Sequence, residues 1–298
     1  MRKRIDDSMS PLARFAGELA EREPEIEQVA LAIAGIAYPT VDVDACVREL
    51  DLLADYIGQG LAAQAPGEDR AAYLLHAVHN ELGFVGNHDD YYDPDNSFLN
   101  QVLRRRTGLP ILLSVLCIAL GRRLRIQVEG IGFPGHFMVQ YRDAQGAWLL
   151  DMFHGKMLPV VEADDYLSRL FNQPVRLPLD IFEPVSVEGI AGRILNNLRG
   201  IYLQKGDVRR AVQVLEYLTI LYPDKAQFWQ ERGLLNQQNG DLEAAARDLR
   251  RYFFLSGHLA ALVHAVTADV DVSAKMSQQD RHVLEILEEI ELTRSRLN

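Results

Sequence analysis

Apolar residues recur at helical intervals through the first third of the chain. Glu25 to Ile33 has three- and four-residue spacing, broken near Pro39. Val43 to Leu61 repeats it with Cys46, Leu50, Leu53 and Ile57, and Ala71 to Leu82 does so again, with Gly83 placed as a C-cap. A polar, aromatic loop, Gly86 to Asn96, follows. Ser97 is placed to cap a helix over Phe98 to Arg106, with Arg104, Arg105 and Arg106 where the helix dipole favours cations. Gly108 ends that helix, and Pro110 suits the first turn of the next. Pro110 to Leu124 is apolar almost all round, which predicts a buried helix. Ile126–Val128, Phe137–Tyr141 and Trp148–Leu150 read as strands, with Asp143 and Gly146 supplying hairpin chemistry. Three prolines between Gln173 and Pro184 mark a boundary.

From about residue 190 the pattern repeats. Gly206-Asp207 returns as Gly240-Asp241, Ala211 as Ala245 and Leu215 as Leu249, each at an offset of 34 residues. That is the tetratricopeptide period. Tyr202 and Pro223 fit the first unit's signature and Trp229 and Gly233 the second's, while Arg199 stands where a small residue is usual. Two units need a cap, so helices are expected from about 259 to 298. The organisation predicted is a domain over 1–184, helical over 1–83 with its core at 84–184, and a repeat domain over 185–298.

Composition narrows the function classes. The 298 residues are 48% apolar and 24% charged, as in a globular protein, and a net charge of −11 argues against general nucleic-acid or membrane-surface binding. Two distant cysteines, Cys46 and Cys117, fit no metal spacing and point to a reducing cytoplasm. Met1 to Arg4 is basic, but Asp6, Asp7 and Ser8 follow, so no signal peptide is expected. No 18-residue apolar run supports a membrane span.

Candidate chemistry concentrates between Gly108 and Asp151. A helix start, then His136, then Asp151 is the order of papain-like and transglutaminase-like enzymes. There a cysteine at the helix N-terminus is activated by the dipole and a neighbouring histidine. That position here holds Pro110. Two residues further along the helix are alternative nucleophiles. Cys117 is two turns on in an apolar segment that should raise its pKa, and Ser114 is one turn on, where a hydroxyl more often bonds a backbone carbonyl. His136 also reads as a satisfied core histidine and Asp151 as a turn cap. Asn87, Tyr91, Tyr92 and Asn96, with His154, are candidates to line a ligand cleft; His154 reads equally well as a surface turn residue. An EF-hand template begun at Asp93 fits Asp95 and Ser97 but fails at Phe98 and Arg104. His76 and His79, one turn apart, form a metal pair only with a third ligand such as Glu81 or His88.

The runs Phe84 to Asn87, Asp90 to Pro94, Asn96 to Asn100, Arg105 to Ser114 and Gly132 to Phe137 together resemble the bacterial SirB-type family over about residues 45 to 260. The resemblance implies an α+β, papain/transglutaminase-like domain followed by an all-α tetratricopeptide-like domain. It places His136 and Asp151 on the superfamily's histidine and aspartate, with Pro110 in the nucleophile's place. The reading favours a non-catalytic protein that binds a protein or peptide in the repeat groove and acts in regulation. The alternative is a hydrolase or acyl transferase using His136 and Asp151 with Ser114 or Cys117. No cofactor, metal, nucleic acid or membrane partner is expected.

Overall fold

The structure, a computed structural model, describes residues 9–258 and 276–297. It divides into two compact units, Met1–Ile201 and Tyr202–Asn298.

The first unit opens with helices α1 (Pro11–Leu19), α2 (Ile26–Ala34), α3 (Val43–Leu61) and α4 (Glu68–His76). Asp42 caps α3 by accepting from the Ala45 N–H at 2.8 Å, and Leu50, Leu53, Ala54, Ile57 and Leu61 form its buried stripe. The helix predicted over Ala71 to Leu82 instead starts at Glu68, and its last stretch, Ala77–Glu81, widens into a π-turn. Such a turn re-aims side chains at a helix end. A short parallel pair, β1 (Val85–Gly86) with β2 (Thr107–Gly108), brackets a 3-10 turn at Pro94–Ser97 and helix α5 (Leu99–Arg105). Ser97 does not cap α5 as predicted. The 3-10 turn takes Ser97 in, Phe98 becomes the cap residue without a side-chain bond, and the Ser97 hydroxyl lies buried without a partner. Arg106, in the left-handed region at φ 60°, ends α5.

Helix α6 (Pro110–Leu124) is buried nearly throughout, as its all-round apolar pattern requires, and packs on α2, α3 and the sheet. The sheet has four antiparallel strands in chain order: β3 (Gln127–Phe133), β4 (His136–Asp143), β5 (Gly146–Asp151) and β6 (Lys156–Pro159). The strands are longer than predicted, and β6 is additional to them. It is short and ends on Pro159, an edge position where the missing N–H costs nothing. Ile131, Phe133, Met138, Leu149 and Leu158 form a core with Ala163 and Leu167 of α7 (Ala163–Phe171). Helix α8 (Val187–Gln204) follows the proline-rich stretch.

In the second unit α9 (Val208–Leu221), α10 (Ala226–Gln238) and α11 (Leu242–Leu255) follow the 34-residue repeat residue by residue. Asp207 and Asp241 each cap a helix, bonding the N–H of Arg210 at 3.1 Å and Ala244 at 3.0 Å. Gly206 and Gly240 both take positive φ, 69° and 82°, which glycine adopts without strain. Ala211, Ala245, Leu215 and Leu249 are all fully buried. Helix α12 (Gln278–Leu297) covers α11, setting Val283, Leu284, Leu287 and Ile290 against Leu249 and Phe253. The part of the expected cap over 259–275 lies outside the described residues. The architecture is therefore an α+β domain with a small antiparallel sheet, followed by helical repeats.

Candidate functional site

Pro134 and Gly135 make a two-residue hairpin that pairs Phe133 with His136 and starts β4 on the histidine. Val139 pairs with Leu150 in the next ladder, so one step further places Asp151 opposite Met138. His136 is then the diagonal neighbour of Asp151 on the same face, within reach of a side-chain bond. Its Nε2 lies 2.7 Å from Asp151 Oδ2. Helix α6 runs antiparallel to β3: a Cβ on Gly121 would touch Val128 at 2.7 Å, and one on Gly130 would meet Ile118 at 3.3 Å. The first turn of α6 therefore points to the sheet end where His136 starts its strand and Asp151 ends its own.

Asp151 has no accessible surface, and a lone buried carboxylate would be costly. Five groups converge on it. Oδ1 accepts from the backbone N–H of Phe153 at 3.0 Å and His154 at 3.1 Å. Oδ2 meets His136 Nε2, His154 Nδ1 at 2.9 Å and the Tyr166 hydroxyl at 2.6 Å. Burial alone would raise the carboxyl's pKa. The bonds from His136 and His154, the charge on His136 and the Tyr166 hydroxyl outweigh it and hold the group well below the usual carboxylate range. Tyr166 shifts the opposite way, upward, through its own burial and then the Asp151 charge.

Aromatic rings wall this centre. His88 stands 4.5 Å from the Phe153 ring and 5.5 Å from His154, and Tyr91 is 5.9 Å from Phe153. The π-turn brings His79 against Gly155, whose φ of 63° and bare Cα make room for the ring. Burial keeps His79 below the ordinary imidazole pKa, although Asp151 draws it up. His76 points elsewhere and meets Glu81 at 3.5 Å, so the pair His76 and His79 does not converge on one point as a metal pair would.

The loop's amides hold its own shape. Asn87 Nδ2 donates to Asn96 Oδ1 at 3.0 Å, and Asn96 Nδ2 donates to the Asp90 carbonyl at 2.7 Å. The Asn96 carbonyl accepts from the Leu109 N–H at 3.0 Å, tying the loop to the start of α6. Asn96 is fully buried, whereas Tyr91 and Tyr92 are exposed. Two of the loop's carboxylates already have a cation: Arg105 reaches Asp93 at 2.7 Å and Asp95 at 3.3 Å.

Pro110 begins α6 and is buried. Ser114 and Cys117 have no accessible surface. The Ser114 hydroxyl finds no hydrogen-bond partner, so the expected bond to a carbonyl one turn back is not made. Burial pushes the Cys117 thiol up to about 12. Sequence reasoning missed Tyr166 and Phe153. Phe153 lies beside Asp151 in the chain and stood in plain view as an apolar turn residue, while Tyr166 reaches the site only through the packing of α7 on the sheet.

A transglutaminase-like superfamily model matches residues 44–196, and a tetratricopeptide-repeat model matches 198–278. The chain belongs to the transglutaminase-like superfamily and carries tetratricopeptide repeats behind that domain. Within it, the chain belongs with the bacterial UPF0162 proteins. It is 30% identical over 272 residues to the UPF0162 protein of Xylella fastidiosa strain 9a5c, across 89% of this chain and 97% of that one. It is 32% identical over 248 residues to that of Pseudomonas aeruginosa, across 83% and 91%. Mouse F-box only protein 21 is 33% identical over 168 residues, 52% of this chain and 26% of that protein. A crystal structure of menin overlaps 83% of this chain and 69% of that one at 11% identity, with a TM-score of 0.39, too low to inform on the fold. These matches carry the pairing of the two domains and not the SirB-type name. Among the described residues no helix is long and apolar enough to cross a membrane.

Proposed function

We propose that this is a non-catalytic, SirB-type member of the superfamily that acts by binding a protein or peptide, in a regulatory role in the cytoplasm. The observation that carries the reading is Pro110 at the first turn of α6, where the superfamily's sulfur nucleophile would stand. A proline ring has nothing with which to attack a carbonyl, and the two alternatives behind it, Ser114 and Cys117, are sealed in the core. The pair His136–Asp151 is then a vestige of the triad, with Asn87, Tyr91, Tyr92, Asn96 and His154 around the remaining cleft. Residues 185–298 supply the partner-binding repeats; tetratricopeptide stacks present a groove that takes extended or helical segments. Both described cysteines are free, in keeping with a reducing compartment.

The test is covalent labelling of the folded, full-length chain with fluorophosphonate and iodoacetamide probes. The expected result is no labelling at Ser114 or Cys117 above the level of a His136→Ala variant. Labelling that depends on His136 would overturn the reading and favour the hydrolase or acyl transferase. Affinity capture with the whole protein tests the other half: failure to retain any specific protein or peptide counts against a binding role.

A further inference from the structure

We infer that His136, Asp151 and His154 form a binding site for one divalent transition metal of the zinc class. A vestigial triad accounts for one histidine on one aspartate. It leaves a second imidazole and a phenol on the same oxygen unexplained. His136 Nε2, His154 Nδ1 and the Asp151 carboxylate all lie within 4.8 Å of one another, from the start of β4, the end of β5 and the turn beyond it. Three groups crowd Asp151 Oδ2, one more than a carboxylate oxygen's two lone pairs accommodate well.

The chemistry of the set is that of a metal site. An imidazole nitrogen donates a proton in one form and lends a lone pair in another, so each histidine can change from a donor to a ligand at the nitrogen that faces Asp151. Two imidazoles and a carboxylate suit zinc, cobalt and iron(II), whereas calcium and magnesium demand mostly oxygen ligands. The carboxylate is already oriented to act as a ligand, because the N–H groups of Phe153 and His154 hold Oδ1 and leave Oδ2 turned to the imidazoles. Bonds of about 2.0–2.1 Å in a tetrahedral site set neighbouring ligand atoms about 3.3 Å apart. The present separations of 2.7 and 2.9 Å must therefore open by about 0.5 Å. His154 can provide the movement on its own side, because its side chain is 28% exposed and sits in the turn closed by Gly155, while the His136 separation opens by a small shift of the His136 ring against Asp151. The same exposure gives the ion a way in and leaves a coordination position for water.

This inference does not rest on the peptide-binding reading; the repeats can lack a partner and the ion still bind. The experiment is calorimetric titration of the chelator-stripped, full-length chain with Zn²⁺, repeated with Co²⁺ and its visible absorption bands. The expected result is one equivalent bound, a tetrahedral or five-coordinate cobalt spectrum, and no comparable binding of Mg²⁺ or Ca²⁺. His154→Ala is expected to weaken Zn²⁺ by roughly 100-fold or more, with His154→Gln as a conservative second variant and circular dichroism to show that each folds. A His76→Ala, His282→Ala double variant, lacking two exposed histidines outside the cluster, is expected to bind as the wild type does. No binding by the wild type, equal binding by both folded His154 variants, or loss in the double variant would each overturn the inference.

Discussion

Among the described residues each unit buries one aspartate completely, and the two are held in opposite ways. In the repeats, Asp248 receives Arg232 on both oxygens, at 2.6 and 2.7 Å, with Asn236 Nδ2 at 3.2 Å. Arg232 also reaches Thr219 Oγ1 at 2.8 Å and lies over the Trp229 ring. In the transglutaminase-like domain, Asp151 receives two imidazoles and a phenol instead. A guanidinium has five donors and no acceptor, so it locks a carboxylate in a single arrangement. Imidazole and phenol can exchange donor for acceptor, so they hold a carboxylate without committing it. The difference separates a carboxylate fixed by a cation that can only donate from one held by groups whose bonding can reverse. Each unit also carries one tryptophan, Trp148 or Trp229, so replacing either by phenylalanine gives a fluorescence report on the other unit alone.

The largest effect is expected at the Arg232–Asp248 clamp. Arg232→Met strands a buried charge, and breaking such a pair costs about 3–5 kcal/mol. Urea unfolding followed at Trp229 should show that loss. The double variant Arg232→Met, Asp248→Leu should regain most of it, because an apolar pair of similar volume removes the desolvation cost as well. A double variant no more stable than the single would mean that Asp248 matters for something besides its guanidinium.

Asp151→Asn should cost less, about 1–3 kcal/mol read at Trp148. The amide is isosteric but turns one oxygen into a donor, which then faces other donors: either the two backbone N–H groups or the cluster at Oδ2. An imidazole can offer either a donor or a lone pair to meet it, which a guanidinium cannot do. A loss as large as that of Arg232→Met would show that the two aspartates are held alike and erase the contrast.

Legibility in the sequence follows the same division. The clamp's surroundings lie in a repeat, and the repeat is plain because local chemistry recurs: Asp207 and Asp241 cap, Gly206 and Gly240 turn, Ala211 and Ala245 pack. Helix α6 is plain because a run with no polar face has only one place to go. His136 and Asp151 can be paired from hairpin spacing. The remainder of the site cannot be read in that way. Tyr166 arrives through the packing of α7, and His79 through a π-turn that no period announces. His154 is ambiguous because its role depends on which way one turn folds. The nearby acidic loop misleads in the other direction: its carboxylates suggest a cation, and Arg105 and Tyr38 already answer two of them.

A smaller effect tests the regularity of the repeat. Gly240→Ala places a Cβ in open space, since nothing lies within 4 Å, so its cost is the left-handed backbone alone, about 1 kcal/mol. Gly206→Ala meets the same open surroundings and should cost the same. Unequal losses, read at Trp229, would show that the two turns of the repeat are not energetically equivalent.

The last effect is a pH dependence in the first unit, flat near neutrality and changing only in acid. Glu27 is buried on α2 beside Arg122 and Arg123 of α6. Burial pushes its carboxyl up, but the Arg122 charge and the bonds from Arg123 and Arg122 more than offset this and leave it below the ordinary value of 4.5. A carboxyl depressed in the folded state stabilises the fold wherever the unfolded chain would also be ionised. That contribution is full above 4.5, shrinks as the pH falls from there, and is gone below the folded-state value. Glu27→Gln removes it at every pH. The stability gap between wild type and variant, measured by urea unfolding at Trp148, should therefore be constant near neutrality and close on acidification. The double difference isolates Glu27 from other acid groups such as Asp143, whose own carboxyl also sits low. A gap that stays the same width through the acid range would mean that Arg122 and Arg123 hold Glu27 by shape and not by charge.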